Sequence, residues 1–242
     1  MNLLNASIII GILIVLFVLS RVLNLFDFKG SVAALILGFI VAFLGSLQWL
    51  ILLIVFAVVS HFATKAYFQL KKSRKLQEGV AGERKISNVV YAGIIAIFIS
   101  SANFTSIITR FPSFHYFTLF AASISVIASD TFASELGVID KRVYMITTLK
   151  RTTPGINGGV SPYGEISAML GALIVAAAFG ILRGGPMDLF YSLIVFASGF
   201  FGCQIDSILG ALFENRGYIG KGTVNMLASL SGVLLSIFIF SL

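Results

Sequence analysis

Two carboxylates lie inside long apolar stretches of the chain: Asp130, in Ala128-Ser129-Asp130-Thr131, and Asp206, in Gln204-Ile205-Asp206-Ser207. A carboxylate within hydrocarbon costs about 2.5–3.5 kcal/mol on insertion scales, so it normally faces a partner or a wet cavity. Each is followed by a hydroxyl residue, Thr131 or Ser207. An Asp with an adjacent hydroxyl on each of two helices supplies oxygen ligands for a hard cation. Magnesium suits this chemistry, because it takes one or two carboxylates, keeps several waters and shares substrate phosphates. A structural alternative stands beside it: either Asp can bond between helices or pair with Lys or Arg. Gly202 and Gly210, four residues either side of Asp206, share its helix face and clear room for a ligand or a neighbouring backbone.

Three glycine-rich basic segments could meet an anion. The first runs Lys150-Arg151-Thr152-Thr153-Pro154-Gly155-Ile156-Asn157-Gly158-Gly159-Val160-Ser161 and opens a helix. Glycines let backbone N–H groups converge on an anion, and a helix N-terminus favours phosphate. A plain connector would look the same, and the Walker pattern G-x-x-x-x-G-K-[ST] is absent. The second segment runs from Glu214 to Asn225 and carries Arg216 and Lys221; the third is Gly79-Val80-Ala81-Gly82-Glu83-Arg84-Lys85. Together with the two Asp residues they describe a site for a polyphosphate with magnesium. Asp27, Glu78, Asp140 and Asp188 read as ordinary solvated charges. His61 and His115 are isolated, with no Ser-His-Asp or Cys-His arrangement in view.

The elements that position these residues must be membrane helices. The 242 residues are 58% hydrophobic and 11% charged, against roughly 25% charged in a soluble domain. Water does not tolerate that much apolar surface. The pattern predicts an all-α, polytopic transmembrane helical bundle, one membrane domain over residues 1–242. Eight spans are marked, at 3–23, 31–46, 49–68, 88–102, 116–137, 163–182, 187–212 and 224–242. The fourth is short, so seven spans or a re-entrant fourth segment stays open. With eight, every Lys and Arg except Arg110 and Arg183 falls on one side of the membrane. The positive-inside rule makes that side cytoplasmic and puts both termini outside. The net charge of +7 then meets lipid headgroups or an anionic substrate, not nucleic acid. Gly164, Ala168, Ala172, Ala176 and Gly180 form a small-residue stripe suited to close helix packing.

Three strings occur in order: Ser129-Asp130-Thr131-x-Ala133-Ser134-Glu135-Leu136-Gly137, then Thr153-Pro154-Gly155-x-Asn157-Gly158-Gly159-Val160-Ser161, then Asp206-Ser207-x-Leu209-Gly210-Ala211. The combination resembles the integral membrane family that contains plant phytyl-phosphate kinase. The resemblance runs from about residue 78 to the end of the sequence. It implies transfer of a γ-phosphoryl group from a nucleoside triphosphate, CTP or ATP, to a prenyl monophosphate such as phytyl or geranylgeranyl phosphate. The implied roles are magnesium at Asp130 and Asp206 with help from Glu135, and phosphate at Asn157, Gly158, Gly159, Ser161, Ser207 and Asn225. Arg84, Lys150 and Lys221 would neutralise charge. Self-association into a homo-oligomer is compatible with this picture. A secondary transporter of an anionic or phosphorylated solute is the rival, since Gly-broken helices and paired Asp patterns occur there too.

Overall fold

The computed structural model describes residues 3–110, 115–185 and 188–242. Eight long helices form the body: α1 (Leu3–Val22), α2 (Phe28–Leu44), α3 (Leu47–Lys65), α5 (Ile86–Thr109), α6 (Tyr116–Gly137), α7 (Pro162–Arg183), α8 (Asp188–Leu209) and α9 (Lys221–Phe240). A short α4 (Phe68–Ser73) and a two-residue antiparallel ladder, β1 (Tyr144–Met145) with β2 (Gly159–Val160), complete the described elements. Six of the helices are long and apolar enough to cross a bilayer. Helix α1 has 20 residues, and the 17 residues of α2 rise about 25 Å, at the lower end of what a span needs. The chain is therefore an all-α polytopic membrane bundle. Residue 187, where the sequence starts the seventh span, lies outside the described residues.

The fourth span is a full crossing, Ile86–Thr109, not a short or re-entrant segment. The sequence marks it only to residue 102, and the helix runs on to Thr109. Ser100, Ser101, Thr105 and Thr109 each donate to the carbonyl four residues back, at 2.8–2.9 Å. That satisfies the hydroxyls within the helix, and Asn103 donates to the Leu44 carbonyl at the end of α2.

Helix α6 is the axis of the bundle, contacting α3, α5, α7, α8 and α9. Every residue from Thr118 to Ser129 is buried. Burying Ser125 and Ser129 is tolerable because they donate to the Ala172 and Ala168 carbonyls of α7, at 3.5 and 2.9 Å. The small-residue stripe is the α7 face that permits this approach: Ala168 and Ala172 are fully buried. The tightest contact lies beside it, where a Cβ on Gly171 would sit 2.6 Å from the Ala128 carbonyl oxygen. Gly202 serves packing, while Gly210 both packs and borders the open space at the end of α8. Gly202 faces Val126 and the Ala228 carbonyl; Gly210 faces Asn157 and Gly158.

The helices alternate in direction. The ends of α1, α3, α6 and α8 meet the starts of α2, α5, α7 and α9 at one end of the bundle. Both chain termini point to the other end, where the His115 ring rests on Phe240. At the first end the chain does three things that position a site. Tyr67, in a left-handed conformation (φ 54°), turns α4 back beneath α3. The backbone of Arg84 bridges to Phe26 and holds the α1–α2 turn. Beyond Leu209 the chain widens into a π turn, Gly210–Glu214, in which the Asn215 amide reaches back to the Gly210 carbonyl.

Candidate functional site

The ends of α6 and α8 and the segment from Pro154 to Ser161 enclose a cleft of about 210 Å³. Asp130 and Asp206 both line it, as do Glu135, Asn157, Gly158, Gly159, Ser161, Ser207 and Lys221. The two acids that the sequence singled out, far apart along the chain, thus share one wall-to-wall space. Asn225, with its amide nitrogen turned toward the carboxylate, donates to Asp206 Oδ2 at 3.2 Å and to the Lys221 carbonyl. The Lys221 ammonium interacts with Asp130, Asp206 and Glu78.

Glu78, Glu165 and Glu214 also line the cleft. With Asp130, Glu135 and Asp206 they bring most of the chain's ten acidic residues to one place. Glu78 is therefore no ordinary loop charge; it accepts from Asn88 Nδ2 at 2.7 Å. Glu165 accepts from Gln204 Nε2 at 2.8 Å, and the π turn delivers Glu214. Among the described residues, no three His, Cys, Asp or Glu side chains converge enough to grip a metal ion unaided. Two carboxylates on facing helices still fit magnesium, which completes its shell with water and substrate oxygens.

Glu135 stands at the cleft wall, but its carboxylate is committed. Lys71 Nζ donates to its Oε2 at 2.6 Å and Thr64 Oγ1 to its Oε1 at 3.0 Å, with Arg84 Nη2 4.0 Å away. Lys71 is only 1% exposed and also donates to the Ala63 and Thr64 carbonyls at the end of α3. One buried lysine therefore caps a helix and pairs an acid. Glu135 is a positioning residue here rather than a free ligand.

Ser161 differs from expectation in a similar way. It is the N-cap of α7, its hydroxyl accepting from Gly164 N at 3.1 Å. Tyr163 N donates to Asp140, Glu165 N to the Ser161 carbonyl, and Pro162 has no N–H. The first amides of α7 are all engaged, so this terminus offers none to a phosphate. Lys150 is exposed, beside the β1–β2 ladder, and does not line the cleft. Arg84 does not line the cleft either; it lies behind Glu135, 3.4 Å from Thr131 Oγ1 and 3.3 Å from Thr64 Oγ1.

Gly158 fixes the glycine-rich segment against α8. Its φ is +76°, and an added Cβ would lie 2.5 Å from Ala211 Cβ and 2.6 Å from the Ser207 carbonyl oxygen. Gly158→Ala should lower thermal stability in detergent by about 1–3 kcal/mol from backbone strain alone, and more from the clash. Gly217→Ala is the control: φ is +73° with nothing nearby, so it should show the strain without the clash. Equal effects would mean that the segment is not seated on α8.

The turn before Arg84 is held by Glu83, which accepts from Val80 N at 2.9 Å and Ala81 N at 2.6 Å. These amides, that of Val80 foremost, hold the Glu83 carboxyl below its ordinary value of 4.5. The stabilisation is complete above that ordinary value and fades as pH falls through the lowered one. Amide exchange at Val80 and Ala81, corrected for intrinsic rates, should accelerate only in that acid window.

Fold and cleft together define a polytopic helical membrane protein with an acidic site at one end of its bundle. The chain belongs to the integral membrane protein family DUF92, whose model matches residues 11–233. An uncharacterized membrane protein of Methanocaldococcus jannaschii is 30% identical over 216 residues, 88% of this chain and 85% of its own. An uncharacterized membrane protein of Synechocystis is 29% identical over 122 residues, 49% of this chain and 46% of its own. Protein PGR of Arabidopsis thaliana is 35% identical over 99 residues, 37% of this chain and 34% of its own. No solved structure matches.

Proposed function

We propose that the protein is a membrane prenyl-phosphate kinase, moving the γ-phosphoryl group of a nucleoside triphosphate to a prenyl monophosphate to give the diphosphate. The observation that carries this reading is the shared cleft of Asp130 and Asp206 with Lys221 on its wall. With Glu135 paired to Lys71, five carboxylates remain against the one lining lysine; they repel a bare anion and attract divalent cations. A polyphosphate enters such a cleft only with its metal, which suits a magnesium–nucleotide complex. Magnesium would sit on Asp130 and Asp206, where it would neutralise phosphate charge. Asn225 orients the Asp206 carboxylate, and Lys221 offsets charge between the two acids. Arg84, one side chain behind the cleft wall at Glu135, would meet the acceptor's phosphate.

In this reading the basic end of the bundle is cytoplasmic by the positive-inside rule. The nucleotide arrives from the cytosol, the lipid from the cell membrane, and both chain termini lie outside.

The test is turnover by purified protein given prenyl monophosphate, magnesium and either ATP or CTP. Prenyl diphosphate and nucleoside diphosphate should appear in equal amounts, and only when all three components are present. Nucleotide release that ignores the lipid would sink the reading. Solute uptake into proteoliposomes without nucleotide turnover would replace it with a transporter.

A further inference from the structure

Beside the acidic cleft, α1, α2, α3 and α5 enclose a second cavity of about 140 Å³. Its walls are apolar for most of their length, with Leu13, Leu37, Leu50 and Ile54 among them. Polar side chains gather at the end nearest the cleft: Ser20, Ser31, Ser60, His61, Thr64, Arg84 and Asn88. Ser20 donates to Ser31 at 2.8 Å, Thr64 to Glu135 and Asn88 to Glu78, and the His61 ring packs edge-on against Phe62. Two groups lack a partner. Ser60 is 2% exposed and its hydroxyl has no partner; Arg84 Nε is buried and has none either.

Buried polar atoms are almost always paired, and leaving one unpaired costs about 1–3 kcal/mol. Two orphaned groups at the polar mouth of an apolar cavity match one kind of occupant: a single hydrocarbon chain ending in a hydrogen-bond-accepting anion. Arg84 stands between the two spaces. Its Nε is unpartnered on the wall of this cavity, while its Nη atoms reach Thr64, Thr131 and the Glu135 carboxylate, which lines the cleft. An anionic head held there has its tail on one side and the acids on the other.

We propose that this cavity seats the head-proximal part of the tail of a single-chain lipid anion, with Arg84 Nε and Ser60 bound to the head. The proposal rests on the cleft being the phosphoryl-transfer site for that lipid. Magnitude limits what the cavity holds. An engineered cavity of about 150 Å³ takes one benzene, so this one takes about the first five-carbon branched unit of a tail and no more. The rest leaves past Val58, a lining residue 43% exposed. The site reads the head and the first unit of the chain and is indifferent to total tail length.

The experiment uses the full chain in lipid nanodiscs and isoprenyl monophosphates carrying a photoactivatable diazirine, either near the head or at the far end. The near-head probe should label peptides of α2, α3 and α5 around Ala34, Ala57 and Ala92, all cavity-lining residues. Ala57→Phe and Ala92→Phe should each cut that labelling by about tenfold or more, the usual penalty for a misfit in an apolar pocket. The far-end probe should label no single site. Labelling on α7 or α8, or labelling that both filling variants leave unchanged, overturns the proposal. A prenyl alcohol carrying the same near-head diazirine should label far less; equal labelling overturns the role of Arg84 and Ser60. A fatty acid carrying it shows whether any anionic head serves, as the proposal expects, or phosphate alone, which would narrow the site. Labelled cavity without phosphoryl transfer removes the kinase reading and leaves the tail site. Transfer that both filling variants leave untouched, with labelling elsewhere, does the reverse.

Discussion

If the proposed kinase reading holds, Asp130→Asn and Asp206→Asn should each lower phosphoryl transfer by more than about 100-fold, the upper range for losing an outer-shell partner of a metal, while the protein still folds. Both residues face the same cleft from different helices, so a magnesium ion shared with a nucleotide depends on both. Asn keeps the shape of Asp and removes the charge, so the bundle should survive with an unchanged melting profile. Raising magnesium should partly restore each single variant and not the double variant. Asn225→Ala, which removes only the bond that orients Asp206, should cost about 10–100-fold. Full activity in Asp130→Asn would end the metal assignment, whatever the fate of the kinase reading.

Lys71→Ala should be the most destabilising single change at the basic end. Its ammonium is 1% exposed and holds Glu135 at 2.6 Å. Removing one partner of a buried ion pair costs about 3–5 kcal/mol, because the other charge is left uncompensated. At roughly 2–4 °C per kcal/mol for a chain of this size, the thermal midpoint in detergent should fall visibly. Lys72→Ala, one residue on and exposed, should change it by less than about 0.5 kcal/mol. Lys71→Met combined with Glu135→Leu should recover much of the loss, since replacing both charges is often neutral. Equal effects of Lys71→Ala and Lys72→Ala would refute the buried pair.

The sequence showed the parts that a bilayer makes expensive. Intramembrane carboxylates must have company, so Asp130 and Asp206 stood out, and they do share a cleft. The apolar lengths located the helices, and the alternation of Lys and Arg located the end at which the site forms. What it concealed depends on chain reversals that no local pattern marks. Lys71 and Lys72 look alike in a basic run, and only the left-handed turn at Tyr67 sends one of them inward. Glu78, Glu165 and Glu214 sit at the edges of apolar segments, where residue type does not reveal which side the carboxylate takes. The family resemblance implies phosphate at Ser161, and a glycine-rich turn before a helix does not reveal whether the helix's first amides are free. Asp140, more than twenty positions earlier, supplies the acceptor that occupies one of them. The fourth span, marked as ending at residue 102, continues to Thr109, since hydroxyls that bond their own helix cost little in lipid.

The π turn at Gly210–Glu214 amounts to one surplus residue wound into the end of α8. Each helical residue advances the azimuth by about 100°, so deleting Ala211 would restore ordinary phasing and swing Glu214 away from the other acids. A homologue one residue shorter at this point would then keep its crossing helix yet lose a wall of negative charge. The composition of the cleft is thus set as much by a length polymorphism as by any change of amino acid.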